Sequence, residues 1–259
     1  MGVLLMIKLI FGDCLEKMKD IPDNSIDMVL TDPPYGTTAC KWDTVINLEL
    51  MWKELNRITK NSAAIILTSS QPFTTKLISS NYEMFKYCWV WEKDAAANFM
   101  NFKYQPAKKH EDIVVFGRMA TSFSKKGNMT YFPQMETGKA YTQKSGSQKT
   151  DNHNPSVRSK IKQTTTINSG ERYPSSIQKF KRDKEKIHPT QKPVALMEYL
   201  INTYTKKGDL VLDFTMGSGS TGVAAVNLKR KFIGIENNIN YFNAAKARVF
   251  KKTKQKEMF

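Results

Sequence analysis

Short apolar runs alternate with segments of helical periodicity along most of this chain. Residues 7–11, 27–31 and 63–68 are apolar runs whose length is typical of buried parallel strands. Two segments between and after them, 48–59 and 71–80, have helical patterning; in the first, apolar side chains recur at Leu48, Met51, Trp52, Leu55 and Ile58. Because strand and helix alternate, the sequence predicts an α/β fold with a doubly wound sheet.

The alternation continues on both sides of a long interruption. Residues 87–91 and 112–116 indicate an antiparallel pair that closes the sheet, which would make the sheet mixed. After the interruption come a helix, a strand, a helix, a strand and a final helix, predicted at 193–204, 209–214, 222–228, 232–236 and 241–250. The central part of this series is a βαβ unit.

The interruption, residues 118–186, is polar and strongly basic. It contains 15 Lys and Arg against 5 Asp and Glu, which is +10 of the chain's formal net charge of +16. We therefore expect one domain built from residues 1–117 and 187–259, with 118–186 as a basic insertion. A positive field of this size points to nucleic acid as the partner.

Cysteine usage and the first residues exclude several classes of protein. Cys14, Cys40 and Cys88 are odd in number and form no Cys-x-x-Cys pair, so neither a disulfide framework nor a metal site is expected. The apolar residues 2–7 are interrupted by Lys8, well short of the length of a membrane span. We expect a cytoplasmic protein with no membrane partner.

A glycine-rich turn follows the predicted strand 209–214. Residues 217–222 match Gly-x-Gly-x-x-Gly, and Glu236 ends the next strand, where it can accept hydrogen bonds from ribose hydroxyls. This pattern alone also fits a dinucleotide. Asp213, directly before the turn, would repel a pyrophosphate but can pair with the α-ammonium group of S-adenosylmethionine. The sequence therefore favours S-adenosylmethionine over a nicotinamide cofactor.

Asp32, Pro33, Pro34 and Tyr35 stand at the carboxyl end of the predicted strand 27–31, where open α/β sheets bind their ligands. The two prolines fix φ and remove two backbone donors, so the turn presents acceptors. An exocyclic amino group of a base is a poor nucleophile; if Asp32 and the Pro33 carbonyl accept its N–H bonds, it is oriented for attack on a methyl group. Tyr35 offers a face for a base extruded from the duplex. We predict that these four residues are catalytic.

With these motifs in this order, the chain resembles the β-class N6-adenine/N4-cytosine DNA amino-methyltransferases of bacteria and phage. The resemblance spans nearly the whole chain: the Asp-Pro-Pro-Tyr motif comes first, a target-recognition region follows, and the Phe-x-Gly-x-Gly-type cofactor motif comes last. It implies a Rossmann-like methyltransferase fold, S-adenosylmethionine as cofactor and double-stranded DNA as partner. It also allows for a homodimer and for a cognate restriction endonuclease. Met216 departs mildly from the family pattern and leaves the turn intact.

The resemblance also implies which residues bind the cofactor. Asp13 would accept from the adenine amino group, and the segment 188–193 would border the methionine part. From the residues alone, Asp13 is a turn residue and Thr190 a helix cap with Pro193 in the first turn. The implied cofactor-binding residues are Asp13, Cys14, His188, Thr190, Lys192, Asp213, Phe214, Gly217, Ser218, Gly219, Thr221, Glu236 and Asn237.

The resemblance implies N6-adenine as the target, because the Asp form of the motif goes with adenine in that family, whereas N4-cytosine members more often carry Ser first. N4-cytosine offers the same amino chemistry and stays open. An RNA or protein-amide methyltransferase shares the cofactor turn, although the basic insertion argues against a protein substrate. A non-catalytic DNA-binding relative would have lost an acidic or tyrosine position, and none is lost here. The insertion interleaves cations with aromatic residues, which suits phosphate contact and base stacking: Tyr131, Phe132, Tyr141, Tyr173 and Phe180.

Overall fold

The computed structural model describes residues 6–36, 44–144, 165–185, 187 and 190–257. These residues form two compact units, one made of residues up to Phe132 together with those from Ser176 onward, and one made of Pro133–Ser175. Strands in chain order are β1 (Ile7–Phe11), β2 (Ile26–Thr31), β3 (Thr59–Ser69), β4 (Phe85–Glu92), β5 (His110–Phe116), β6 (Glu136–Thr137), β7 (Tyr141–Lys144), β8 (Thr165–Asn168), β9 (Glu171–Arg172), β10 (Ile177–Lys179), β11 (Leu210–Asp213) and β12 (Lys231–Glu236). Helices are α1 (Cys14–Met18), α2 (Leu48–Ile58), α3 (Phe73–Ser80), α4 (Val194–Tyr204), α5 (Ser220–Asn227) and α6 (Ile239–Glu257).

The first unit is built on an eight-stranded sheet in the order β1-β12-β11-β2-β3-β5-β4-β10. All neighbouring strands are parallel except around β5, which runs antiparallel to both β3 and β4. The predicted mixed sheet is confirmed. The antiparallel pair does not end the sheet, however, because β10 adds a parallel edge strand beside β4, with Ile177 opposite Val90. A strand of three residues is too short to show a periodic pattern.

Helices cover both faces of this sheet, and alternate strand residues supply the two cores. Met28 and Leu30 of β2 pack with α4, α5 and α6, whereas Val29 packs on the opposite face with α1, α2 and α3. This arrangement confirms the doubly wound fold. Among the described residues, no helix has both the length and the apolar character needed to cross a bilayer.

The ends of the helices differ from the predicted ends for local reasons. The predicted cap Thr190 is wrong, since α4 begins after Pro193 and the Asp183 carboxylate accepts from the backbone N–H of Val194 at 3.3 Å. The five-residue α1 was not predicted, because it is too short for a periodic pattern; its cap is Asp13. Helix α5 begins two residues earlier than predicted, directly after Gly219 at a φ of 77°.

The second unit consists of short antiparallel pairs, β6 with β9 and β7 with β8. Its side chains are mostly exposed, and the Arg172 guanidinium lies 4.7 Å from the centre of the Tyr141 ring. The unit lies inside the predicted insertion 118–186, whose residues 145–164 are outside the described part of the chain. The flanks of that insertion belong to the sheet unit, where they supply β10 and the buried Met129.

Candidate active site

The two chemistry-bearing turns meet because β2 and β11 are neighbours in the sheet, with Met28 opposite Val211. The chain leaves β2 toward β3 through α2 on one face, and leaves β11 toward β12 through α5 on the other. Open α/β sheets bind ligands at the carboxyl edge of such a reversal. Thr31 joins the turns, since its hydroxyl donates to Asp213 Oδ1 at 2.8 Å, across 182 residues of sequence.

A cavity of about 480 Å³ opens at this edge, within the range of roughly 300–1,000 Å³ typical of ligand pockets. It brings together most of the predicted site residues: Asp13, Cys14, Asp32, Pro33, Pro34, Tyr35, Thr190, Lys192, Phe214, Gly217, Ser218, Glu236 and Asn237. Three predicted cofactor residues, Asp213, Gly219 and Thr221, are buried and are not among the residues that line the cavity. His188 lies outside the described residues.

Glu236 holds the glycine turn against the end of β12. Its Oε2 accepts from the backbone N–H of Gly217 at 2.9 Å, and its Oε1 accepts from that of Asn238 at 2.8 Å. An ionised carboxylate has about four acceptor sites, so these two bonds leave room for the ribose hydroxyls expected there. Gly217 has a φ of 49°, a left-handed conformation that favours glycine.

Asp213 lies behind this turn, with 3% of its surface exposed. Its Oδ1 accepts from the Thr31 hydroxyl and from the backbone N–H of Thr215 at 3.2 Å. Burial raises the pKa of this carboxyl to about 7, although hydrogen bonds from Thr221 and Thr31 oppose the rise. Asp213 thus ties β2 to the glycine turn, and its pairing with a ligand ammonium group stays a prediction.

The Asp32 carboxylate is held by three donors. Its Oδ1 accepts from the Tyr35 hydroxyl at 2.7 Å and from the Thr68 hydroxyl, and its Oδ2 accepts from Lys192 Nζ at 2.6 Å. With about four acceptor sites on a carboxylate, one site remains for a substrate N–H. Lys192 was predicted to bind cofactor; in the structure its ammonium group contacts the Asp32 carboxylate instead.

Lys192 also joins Asp32 to a second carboxylate that sequence patterns did not reveal. Its Nζ lies 3.3 Å from Glu111 Oε2, and Glu111 Oε1 pairs with Lys93. Burial lowers the pKa of Lys192, but the charges of Asp32 and Glu111 outweigh burial and raise it. Burial likewise raises the pKa of Glu111, but Lys192 and Lys93 outweigh it and lower that pKa. Lys93, Glu111, Lys192 and Asp32 thus form a chain of alternating charges, which we call the charge chain.

Tyr35 is positioned from both sides. Its ring stacks on Phe73 with centroids 5.3 Å apart and planes 20° apart, and Lys192 Nζ lies 5.8 Å from the ring centroid. Burial, followed by the Asp32 charge, raises the pKa of the phenol well above its ordinary value. The hydroxyl therefore stays protonated at neutral pH and donates to Asp32. Stacking of an extruded base on Tyr35 stays a prediction.

At the adenine side predicted for the cavity, Asp13 caps α1. Its Oδ1 accepts from the backbone N–H groups of Leu15 at 2.9 Å and Glu16 at 3.2 Å, so the cap uses only one carboxylate oxygen. Burial and the Asp13 charge raise the pKa of the Cys14 thiol to about 12. Cys14 is therefore a protonated wall residue at neutral pH and no nucleophile.

A second group of residues that sequence reasoning missed supports the glycine turn from α6. The Arg248 guanidinium donates to the Ser218 carbonyl at 3.2 Å and to the Ser220 hydroxyl at 3.0 Å, and pairs with Asp183 at 3.2 Å. Asp183 in turn caps α4. Since these residues are far apart in sequence, only their contacts reveal the group.

Comparisons with known proteins identify the family of this chain. The DNA methylase family matches residues 26–247. The DNA adenine methyltransferase YhdJ of Escherichia coli (strain K12) is 28% identical over 250 residues, which is 90% of this chain and 79% of that protein. The type II methyltransferase M.HpaI of Haemophilus parainfluenzae is 26% identical over 259 residues, 93% of this chain and 74% of that protein.

Solved structures extend the likeness to the fold. The M1.HpyAVI–SAM complex is 25% identical with a TM-score of 0.62, covering 94% of this chain and 99% of that one. The PvuII DNA methyltransferase (cytosine-N4-specific) has a TM-score of 0.66 at 16% identity, covering 96% and 90%, and shows the fold alone. The Rossmann-like methyltransferase fold is thereby confirmed. The chain belongs to the N6-adenine/N4-cytosine family of S-adenosylmethionine-dependent DNA methyltransferases.

Proposed function

We propose that this chain methylates the N6 amino group of adenine in double-stranded DNA. The observation that carries the proposal is the Asp32 carboxylate, fixed by three donors at the edge of the cavity with one acceptor site left. The Asp form of the motif supports adenine as the target. The name of YhdJ, a DNA adenine methyltransferase similar over most of both chains, supports the same base.

The residues around the cavity suit S-adenosylmethionine. Glu236 has acceptor sites left for the ribose hydroxyls, Asp13 has its second oxygen for the adenine amino group, and Phe214, Val45 and Ile46 supply apolar wall. When bound, the cofactor supplies an electrophilic methyl group. Asp213 acts indirectly here, because it holds Thr31 and Thr215 rather than lining the cavity.

Asp32 and the Pro33 carbonyl hold the target nitrogen. Each accepts one N–H bond of the amino group, which turns the nitrogen lone pair toward the cavity. Tyr35, Thr68 and Lys192 keep the carboxylate in place, so that no reorganisation is needed at the moment of reaction. Methyl transfer would form one N–C bond as the S–C bond of the cofactor breaks, with a neutral thioether as the leaving group. The methylated nitrogen would then lose one N–H proton, for which the Asp32 carboxylate is a positioned acceptor.

Mass spectrometry of nucleosides from DNA treated with the protein tests the proposal. We expect N6-methyladenine with the wild type and none with Asp32→Ala, while cofactor affinity measured by calorimetry stays within about threefold, a change of under 1 kcal/mol. Asp32→Asn is the matched control, because it retains one acceptor oxygen and should keep part of the activity. N4-methylcytosine without N6-methyladenine would replace adenine by cytosine as the target. Full activity in Asp32→Ala would remove the catalytic role.

The insertion 118–186 is proposed as the target-recognition region on the basis of its charge. Its described part presents cations beside aromatic rings, such as Arg172 over Tyr141, which suits phosphate contact and stacking. Methylation of duplex DNA in competition with RNA tests this substrate choice, and a strong preference for RNA would contradict it. A homodimer and a cognate restriction endonuclease stay proposals, tested by sedimentation and by assay of neighbouring genes for DNA cleavage.

A further inference from the structure

The loop between β4 and β5 exposes a cluster of large apolar side chains. We call residues 98–106 the loop tip. Phe99 is 73% exposed, Met100 is 80% exposed and Tyr104 is 86% exposed, and Phe102 is exposed as well. Soluble proteins rarely leave such side chains together in water unless they bind something. The catalytic site described above makes no use of them.

Backbone hydrogen bonds hold together the two chain segments that lead to the loop tip, residues 93–97 and 107–109, which we call the neck. The backbone N–H of Lys93 donates to the Lys109 carbonyl at 2.7 Å, and that of Ala97 donates to the Lys108 carbonyl at 3.1 Å. Asn98 closes the tip, because its side chain accepts from the backbone N–H of Lys108 at 2.7 Å and donates to the Pro106 carbonyl at 3.0 Å. The apolar side chains therefore extend from a defined turn.

The neck stands at the edge of the sheet that carries Asp32. Strands β3 and β4 both run antiparallel to β5, so they end at the same edge as β2, and β5 begins there. The loop starts at Lys93, and Glu111 is the second residue of β5 after it; both are members of the charge chain. Through Lys192, two further contacts of 3.3 Å and 2.6 Å lead from Glu111 to the Asp32 carboxylate.

The positive charge of the loop between β4 and β5 favours an anionic partner. Residues 95–109 contain Lys103, Lys108 and Lys109 and no Asp or Glu. Asp94, the acid that precedes them, is paired with Arg182 at 2.8 Å. Lysines interleaved with aromatic rings suit a nucleic acid, since the lysines contact phosphates and the rings stack on bases.

We propose that the loop tip docks on DNA at the target site and that its aromatic side chains stack on bases exposed when the target base leaves the duplex. Lys103, Lys108 and Lys109 contact the flanking phosphates. The proposal rests on methylation of an extruded base in DNA, but it does not depend on whether that base is adenine or cytosine.

The test compares Phe99→Ala/Tyr104→Ala with Tyr82→Ala. Tyr82 is the matched control, because it is 75% exposed and precedes β4 at the opposite edge of the sheet. Sheared, unmethylated bacterial DNA is the probe, and initial methylation rates are measured against its concentration. Since one lost stack corresponds to about 5- to 150-fold in affinity, kcat/KM for DNA should fall at least about fivefold in the tip variant only. Cofactor affinity and melting temperature should match those of the wild type.

A tip variant with the same kcat/KM for DNA as Tyr82→Ala would overturn the proposal. If the DNA kinetics of the tip variant were unchanged but it no longer self-associated in sedimentation, the loop tip would bind a second copy of the chain instead. If it no longer bound anionic vesicles, the loop tip would bind a membrane surface instead. A variant that removes the three lysines should lower the slope of log affinity against log salt by up to about 2.7. If the wild type produced N4-methylcytosine only, the proposed adenine specificity would fail. The comparison of the tip variant with Tyr82→Ala would still test whether the loop tip binds DNA.

Discussion

Glu111→Gln tests the charge chain, because it removes one charge and keeps the shape of the side chain. Glu111 separates two buried ammonium groups: the Lys93 side chain is 10% exposed and the Lys192 side chain is 6% exposed. After the change, Lys192 still has Asp32 at 2.6 Å. Lys93 loses its carboxylate partner, and the Trp91 ring, whose centroid lies 5.1 Å from its Nζ, remains beside it. The energetic consequence therefore falls mainly on Lys93.

Breaking a buried ion pair by removing one partner costs about 3–5 kcal/mol, because the remaining charge is buried without compensation. The glutamine oxygen can still accept a hydrogen bond, and a cation–π contact of about 0.5–2 kcal/mol remains, so we expect a loss near 3 kcal/mol. For a chain of this size, about 2–4 °C in melting temperature corresponds to 1 kcal/mol, which gives a decrease of roughly 6–12 °C.

Chemical and thermal unfolding of a double-mutant cycle provide the measurement. Lys93→Met alone should cost less than Glu111→Gln, because Glu111 keeps Lys192 as its partner. The double variant Lys93→Met/Glu111→Gln should lie within about 1.5 kcal/mol of the wild type, since both charges leave together. A melting temperature for Glu111→Gln within 2 °C of the wild type would refute the reasoning, as would a double variant that is less stable than Glu111→Gln.

Two further predictions concern buried charges at the site. The pKa of Asp213 is about 7 when folded and 3.8 ordinarily, so the folded state binds this proton more tightly and loses stability as the pH rises from about 4 to 7. Asp213→Asn should therefore gain in melting temperature relative to the wild type over that interval; a difference independent of pH would contradict this. Lys192→Met should slow single-turnover methylation at least about tenfold with little effect on cofactor affinity, and Lys192→Arg should restore part of the rate. Weaker cofactor binding at an unchanged rate would instead assign Lys192 to the cofactor.

Local patterns in the sequence were sufficient for most strands of the main sheet and for the two turns of the site. Apolar periodicity depends on neighbouring residues, so the runs at 7–11 and 27–31 predicted β1 and most of β2. The residues around Asp32 and Gly217 could be assigned to one site because both follow predicted parallel strands, and such strands end at the same edge of a sheet. The motifs themselves carried the family resemblance.

Contacts between distant segments were decided only by the tertiary structure. Glu111 reaches the site because β5 runs opposite to its neighbours and begins at this edge, two residues earlier than the predicted strand 112–116. Lys192 donates to Asp32, and Asp213 is buried behind the glycine turn. Neither contact could be predicted, because the position of a side chain depends on the segments that pack around it. The sequence alone thus determined which residues could do chemistry at this edge, whereas packing decided which of them line the cavity and which hold the others in place.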